Sequence, residues 1–445
     1  MTLKSDKKYK AGKNYSAQVY IDLSAVENNV KEIVKTIRPA SLCAVVKADA
    51  YGHGIIEVSK TAIKSGASCL AVATVEEGIV LRESGLRAPI LVLSEPTVYE
   101  LEDALSWGLT ITVITDEIFR ELLKIIKSLN QRLENGLIGV NKKNKSCFGC
   151  NLSFSPSGVF FKDTKRVPIH LKLETGMSRL GGTPQELLSI IETDQNLISI
   201  ESIWTHMATA DLNGNRNNEV QQDRFNSFVN SLRPLGGGKF YRHMANTAAG
   251  LILPNTRMDM VRTGLGIYGY YPADWIGNLA RTHKEIPTLK PVKSVKAPIE
   301  NLIEIEAGQG VSYGHNFVAD KDTAIATVQI GYADGLFRNL SQANGEVLVR
   351  GHRCKIVGNI TMNHMMIDVG KLYKKFNISR GEEVVILGEQ KKFGFQVNSS
   401  GNNKDYDRIT ADEIAKKLHT ISYEILTDLG HTCKKTFIVG TDKHK

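Results

Sequence analysis

A (β/α)8 barrel over residues ~20–275, followed by an all-β domain, is the fold class that this 445-residue sequence predicts, on three observations. Eight short apolar runs recur along the first part of the chain, most of them separated by helix-compatible sequence. Near-continuous apolar strands alternating with helices indicate a parallel sheet covered by helices, and eight such units close into a barrel. An open doubly wound sheet is the alternative, although it normally carries fewer strands. From about residue 285 the texture changes to AIATVQIG, GEVLVRG, MMIDVG and GEEVVILG, β-rich stretches broken by glycine, with little helical periodicity until residues 410–418. Residues 20–275 are thus assigned to the barrel, and residues 1–19 with 276–445 to a mostly β-strand domain.

At the start of the barrel, Ser24 and Glu27 form the S-x-x-E pattern of a capping box, after which Val26, Val30, Ile33, Val34 and Ile37 share one helical face. The first strand is LCAVV (42–46), which ends at Lys47. CLAVAT (69–74), PILVLS (89–94) and LTITVI (109–114) come next, with helical VEEGIVLRESG (75–85) and DEIFRELLKIIKSL (116–129) among them. PIHLKLE (168–174), ISIESIWTH (198–206), KFYRHMA (239–245) and MDMVR (258–262) complete the eight. Residues 131–167 break the spacing; their Asn, Lys, Ser and Gly without sustained periodicity predict an insertion between the fourth helix and the fifth strand. VNSSGNNKDYD (397–407) predicts a second polar loop.

Composition narrows the class. With 42% hydrophobic and 23% charged residues, the chain can bury a sizeable core. No apolar run approaches the roughly 20 residues that span a bilayer, and MTLKSDKKYKAGKNYSAQ lacks the apolar region of a secretory signal. A soluble, cytoplasmic protein without a membrane partner is expected. The 56 basic and 47 acidic residues leave +9, spread along the chain. That is a solvated basic surface rather than a nucleic-acid stripe, and it suits an anionic ligand only weakly. Six cysteines in a chain of this size build no disulfide framework. Cys43 and Cys69 fall in apolar runs and read as small core residues. Cys147 and Cys150 form one C-x-x-C with no second pair nearby, which favours two loop thiols over a zinc site, so no metal is expected.

Barrel enzymes place their chemistry where strands end and loops begin. In AVVKADAYGHG (44–54) a lysine stands just past an apolar strand and before a glycine-rich loop. Desolvation there lowers an amine's pKa, as a Schiff-base lysine requires; a lysine snorkelling to solvent is the other reading. VKADAYGHG resembles the pyridoxal-phosphate attachment signature of alanine racemases. The resemblance recurs in the family's order at HLKLETGMSRLGG (170–182), WTHMATAD (204–211), MANTAAG (244–250), VRTGLGIYG (261–269), SYG (312–314), IGYADG (330–335) and ISYEI (421–425).

This resemblance has specific implications. Lys47 would hold pyridoxal phosphate covalently. Tyr51, Asn246, Thr247, the amides of Gly264 and Leu265, and Tyr423 would bind the cofactor, several of them at its phosphate. Thr247 falls where a helix could begin and Gly264 in the turn after the eighth strand, both places that favour anions. Arg262 would face the pyridine nitrogen as a permanent donor. Racemisation takes a proton from one face of a flat carbanion and returns one to the other, so two bases are expected. Lys47 would be one and Tyr313 the other. A free phenol, with pKa about 10, needs help at neutral pH; the chain Tyr313–His206–Arg262–His243 would supply it. Lys172 matches a lysine that is often carbamylated and orients an arginine, here Arg179, toward the substrate carboxylate, which the Met362 amide would also contact. Tyr332 and Asp211 would line a narrow corridor to the site. The family further implies an amino-acid substrate, D-alanine supplied to peptidoglycan, and a homodimer in which Tyr313 reaches the opposite subunit's site. Residues 361–364 read T-M-N-H where the family usually has C-M-D-Q. Two other classes compete: a decarboxylase or aldolase on the same barrel, which would not need Tyr313 paired with His206, and a cofactor-carrying protein, whose relatives lack the β domain.

Overall fold

The computed structural model describes residues 16–134, 166–193, 197–232, 240–394 and 405–440. They form two compact units. One is Asp22–Val292; the other is Lys293–Ile438 together with the chain up to Ile21, which holds all but the last residue of β1 (Gln18–Asp22), the strand that leads into the first unit.

In the first unit all eight apolar runs are strands: β2 (Ser41–Val45), β3 (Cys69–Val72), β4 (Ile90–Val92), β5 (Thr110–Val113), β6 (Val167–Lys172), β7 (Ile198–Trp204), β8 (Tyr241–His243) and β9 (Met260–Thr263). They pair in parallel in the order β8-β7-β6-β5-β4-β3-β2-β9. The two ends of that sheet meet where the Asp259 and Arg262 N–H groups donate to the carbonyls of Arg242 (3.1 Å) and Ala245 (3.0 Å), closing the ring. Both faces of the strands are covered, which is why Leu42, Cys43, Ala44, Leu70, Ala71, Ile111 and Val113 are all buried and the runs lack alternation.

The first helix, Leu23–Ile37, begins differently from the capping-box expectation. The Asp22 carboxylate accepts from the N–H groups of Ser24 (2.9 Å) and Ala25 (3.1 Å), while Glu27 pairs with Lys31. An aspartate at that position caps as well as serine does, and its negative charge also interacts favourably with the positive end of the helix dipole. The helix from Asp116 runs on to Glu134, and β6 opens at Val167. Residues 135–165, with Cys147 and Cys150, lie outside the described residues, as does the 397–404 part of the second polar stretch.

The unit boundary falls at 292/293 rather than near 275, for a visible reason. Fully buried Asn29 exchanges two hydrogen bonds with the main chain of Lys290, each 2.8 Å, and the Val292 N–H donates to Tyr268 O (3.2 Å). These bonds fasten residues 276–292 to the barrel.

The second unit is built on β10 (Lys293–Ile305), 13 residues long. It adds β11 (Gly310–Val311), β12 (Phe317–Val318), β13 (Thr323–Val328), β14 (Glu346–Val349), β15 (His352–Val357), β16 (Met365–Asp368), β17 (Glu383–Lys391), β18 (Tyr406–Ile409) and β19 (Lys434–Ile438). Nine strands form one sheet, β18-β17-β14-β15-β16-β13-β10-β1-β19, and β10 also pairs with β17, so the sheet curls on itself. β11 and β12 form a separate hairpin. Besides the helix Ala411–Leu418 legible in sequence, this unit holds Gly370–Phe376 and Ser422–Asp428. No helix among the described residues is long and apolar enough to cross a membrane.

Candidate active site

Lys47 lies two residues past β2, at the C-terminal end of the ring. It opens a turn in which Ala48, Asp49, Ala50 and Tyr51 have φ of 53°, 51°, 53° and 55°. This is a turn of left-handed helix, which costs roughly 1–2 kcal/mol for each such residue and persists only where surrounding bonds over-determine it. The Ala50 N–H donates to Val46 O (2.8 Å) and Ile55 N–H to Asp49 Oδ1 (2.8 Å). One oxygen of Glu77 accepts from the Ala48 N–H (2.5 Å) and the other from the Ala73 N–H (2.8 Å), tying the turn to the end of β3. Burial, and then the Arg179 charge, push the Lys47 amine below its ordinary range, with Glu77 opposing them.

The same turn carries Tyr51 to Gly264. A Cβ on Gly264 would come within 2.8 Å of Tyr51 Cζ and closer still to the hydroxyl, so only glycine admits that phenol. The Gly264 N–H also donates to Thr247 Oγ1 (3.2 Å). A phenol, a hydroxyl and a main-chain amide from three separate loops therefore converge. Leu265 begins the short turn Leu265–Tyr268 beside them. Asn246 caps the helix Thr247–Ile252 by accepting from the Ala249 N–H (3.1 Å) and donates to Met207 O (3.4 Å), so its visible work is to hold the Thr247 segment.

Arg262 is 3% exposed at the end of β9. Its guanidinium donates to Nδ1 of His243 (2.6 Å), Nδ1 of His206 (3.1 Å), Thr205 O (2.9 Å) and Met244 O (3.2 Å). Burial lowers it to about 10, still far above neutrality. A permanent donor facing both Nδ1 atoms requires each to accept, so both imidazoles are neutral with the proton on Nε2. Burial, and next the Arg262 charge, hold both histidines well below their ordinary value, in agreement with that assignment. Two further residues extend the row, and the second of them, Glu201, was missed by sequence reasoning. His243 Nε2 lies 3.4 Å from His170 Nδ1, and His170 Nε2 lies 3.4 Å from the buried carboxylate of Glu201.

Trp204 forms a wall here. The Lys172 ammonium and the Arg262 guanidinium each sit 4.5 Å from its ring centroid, and His243 stacks on it. Lys172 is 4% exposed; burial first, then Arg262 and Arg179, lower its amine to about 8. His170 and Lys172 point into the ring. Glu174 instead accepts from the Gly176 (2.5 Å) and Met177 (2.6 Å) N–H groups, shaping the loop that bears exposed Arg179. The Asp211 carbonyl accepts from Trp275 Nε1 (2.7 Å).

The second unit displays the remaining predicted residues on its own surface. Tyr313 is 77% exposed, in a turn where Ser312, Gly314 and His315 all have positive φ. Asn359, 6% exposed, holds that turn: its Nδ2 donates to Tyr313 O (2.7 Å), its Oδ1 accepts from Asn316 (3.0 Å), and its carbonyl accepts from Ser312 Oγ (2.7 Å). Met362 is exposed and its carbonyl accepts from the Ala333 N–H (2.9 Å). The T-M-N-H departure closes its own turn, since the Thr361 hydroxyl bonds the main chain of His364 in both directions (3.1 Å each) and the His364 ring reaches Glu300 (2.7 Å). Tyr332 starts the turn Tyr332–Asp334, and half-buried Tyr423 lies on Ser422–Asp428.

The family model described as alanine racemase, N-terminal domain, matches residues 21–272, and the one described as alanine racemase, C-terminal domain, matches residues 292–437. The chain belongs to the alanine racemase family. An alanine racemase from Nostoc sp. is 39% identical over 419 residues, 93% of this chain and 94% of the relative. Among solved structures of the family, the alanine racemase of Bacillus anthracis with bound L-Ala-P superposes with a TM-score of 0.77 at 29% identity, over 96% of both chains. That of Bartonella henselae with covalently bound pyridoxal phosphate does so with a TM-score of 0.74 at 25% identity, over 96% of this chain and all of the other.

Proposed function

We infer that this protein racemises alanine with pyridoxal phosphate held on Lys47, and that its D-alanine serves peptidoglycan synthesis. The residues suit that cofactor. The lowered amine of Lys47 is disposed to bond a carbonyl carbon. The convergence of Tyr51, Thr247 and Gly264 offers hydroxyls and an amide to a phosphate. Lys47, Lys172, Arg179 and Arg262 together depress the pKa values around them, an excess of positive charge that bound phosphate and substrate carboxylate would relieve. When bound, pyridoxal phosphate supplies an electron sink that acidifies the α-proton of an attached amino acid.

The observation that carries the reading is the Arg262 fork. By donating to both Nδ1 atoms it leaves His206 a neutral donor at Nε2. Such a donor, aimed at a phenolate oxygen, would stabilise the charged form, so that Tyr313 would serve as one base while Lys47 serves the opposite face. Tyr313 would come from a second copy of the chain in a homodimer. Arg179, steadied by Lys172 once that lysine is carbamylated and anionic, and the Met362 amide would take the substrate carboxylate, with Tyr423 adding to the phosphate site and Tyr332 and Asp211 lining the approach.

The test is exchange. With L-alanine in deuterated water, deuterium should enter the α-position of both enantiomers, and Lys47→Ala should abolish both exchange and the visible absorbance of the holoenzyme. Carbon dioxide or acetaldehyde appearing without racemisation would refute the assignment.

A further inference from the structure

The left-handed turn that bears Lys47 and Tyr51 is gripped by a residue for which the chemistry above has no use. His53 is fully buried. Its Nδ1 lies 3.0 Å from Ala50 O and 2.8 Å from Tyr51 O, so one N–H is shared between two consecutive carbonyls of the turn. The ring stacks on Tyr268 at 4.5 Å and 29°. Tyr268 in turn donates its hydroxyl to Val45 O (2.9 Å) at the end of β2, and its ring packs against Tyr51 at 4.7 Å and 35°. His53 thus controls Tyr51 twice, through the main chain and through the Tyr268 ring. A left-handed φ of 55° at Tyr51 is the conformation the chain would abandon first without such restraint. Abandoning it would swing the phenol away from Gly264, the one direction in which the absent Cβ gives it room.

We propose that His53 is a positioning residue for the cofactor's phosphate end: its imidazole locks the left-handed turn so that the Tyr51 hydroxyl stays fixed at the Gly264–Thr247 anion site. The inference rests on the reading that Tyr51 binds the phosphate. It predicts a loss confined to ligands that carry one.

The experiment uses full-length protein freed of cofactor and titrated, by absorbance and fluorescence, with pyridoxal phosphate and separately with pyridoxal. His53→Phe keeps a stacking ring and removes the N–H. It should weaken pyridoxal phosphate by about tenfold or more while leaving pyridoxal within about twofold. His53→Gln, which retains a donor, should recover most of the loss. In a Tyr51→Phe background His53→Phe should add little, because both changes act on one contact. Should His53→Phe not fold, His53→Asn, too short to reach both carbonyls, replaces it. Equal weakening of both ligands, or full additivity with Tyr51→Phe, would overturn the proposal. Wild-type protein that binds pyridoxal phosphate with no advantage over pyridoxal would instead remove the phosphate role of Tyr51 beneath it.

Discussion

If Tyr313 is one of the two bases, as proposed, Asn359→Ala tests how it is held. The side chain makes two hydrogen bonds, to Tyr313 O (2.7 Å) and from Asn316 (3.0 Å), at a site only 6% exposed. Each is worth about 1 kcal/mol net, so about 2 kcal/mol of restraint is removed from a turn in which left-handed Ser312 and His315 already favour relaxation. That corresponds to about 30-fold in the population of the ordered turn, and misplacing a reacting group by 1 Å costs about 10²-fold in rate. The variant should therefore lose about 10- to 100-fold in kcat while its thermal midpoint moves only modestly. Because the two enantiomers have equal free energy, kcat/KM must fall equally in both directions and cannot by itself identify the displaced base. The α-deuterium isotope effect can. It should grow in the direction in which Tyr313 removes the proton and stay near the wild-type value in the other, where Lys47 does so. An isotope effect that changes alike in both directions, or a variant of full activity, would refute the role given to Asn359.

The remaining predictions concern protons in the barrel. His206 and His243 are kept neutral well below their ordinary value of 6.5. Their depressed folded-state pKa values mean that the unfolded chain binds more protons as pH falls below about 6.5. Stability present above that pH should then be lost at about 1.4 kcal/mol per pH unit per histidine, read as a falling urea midpoint between about pH 7 and 5; a flat midpoint would contradict the neutral state assigned to both rings. Lys172, lowered to about 8, is about one-tenth neutral amine at pH 7, against about one in 10³ or fewer for an ordinary lysine. Only the neutral amine adds carbon dioxide. A carbamate should accordingly form with ¹³C-labelled bicarbonate as pH rises through 7–9 and vanish on acidification, visible as a carbonyl resonance absent from Lys172→Ala.

The strands were readable because a parallel sheet buried on both faces turns each strand into an unbroken apolar run. Lys47 was readable for a related reason: it is the charge that ends such a run. The turn beyond it was not. Residues 48–51, Ala-Asp-Ala-Tyr, contain no glycine, and nothing in local propensity points to a left-handed conformation. Its causes are tertiary, the carboxylate of Glu77 29 residues away and the Tyr268 ring more than 200 residues on. Asn359 was invisible on the same ground, since it meets Tyr313 across 46 residues with no periodic signature. Glu201 did leave a trace, a single carboxylate inside the apolar run ISIESIW, and HLKLE likewise shows polar residues on the inward face. A polar group facing a barrel interior demands a partner, so two such strands side by side predict a buried polar row. What no strand pattern could supply is the order of that row. The structure supplies it through the Arg262 fork, because a donor that cannot be deprotonated near neutrality determines which nitrogen of each histidine carries the proton. An acidic residue in its place would reverse both tautomers and turn the outward Nε2 of His206 from a donor into an acceptor.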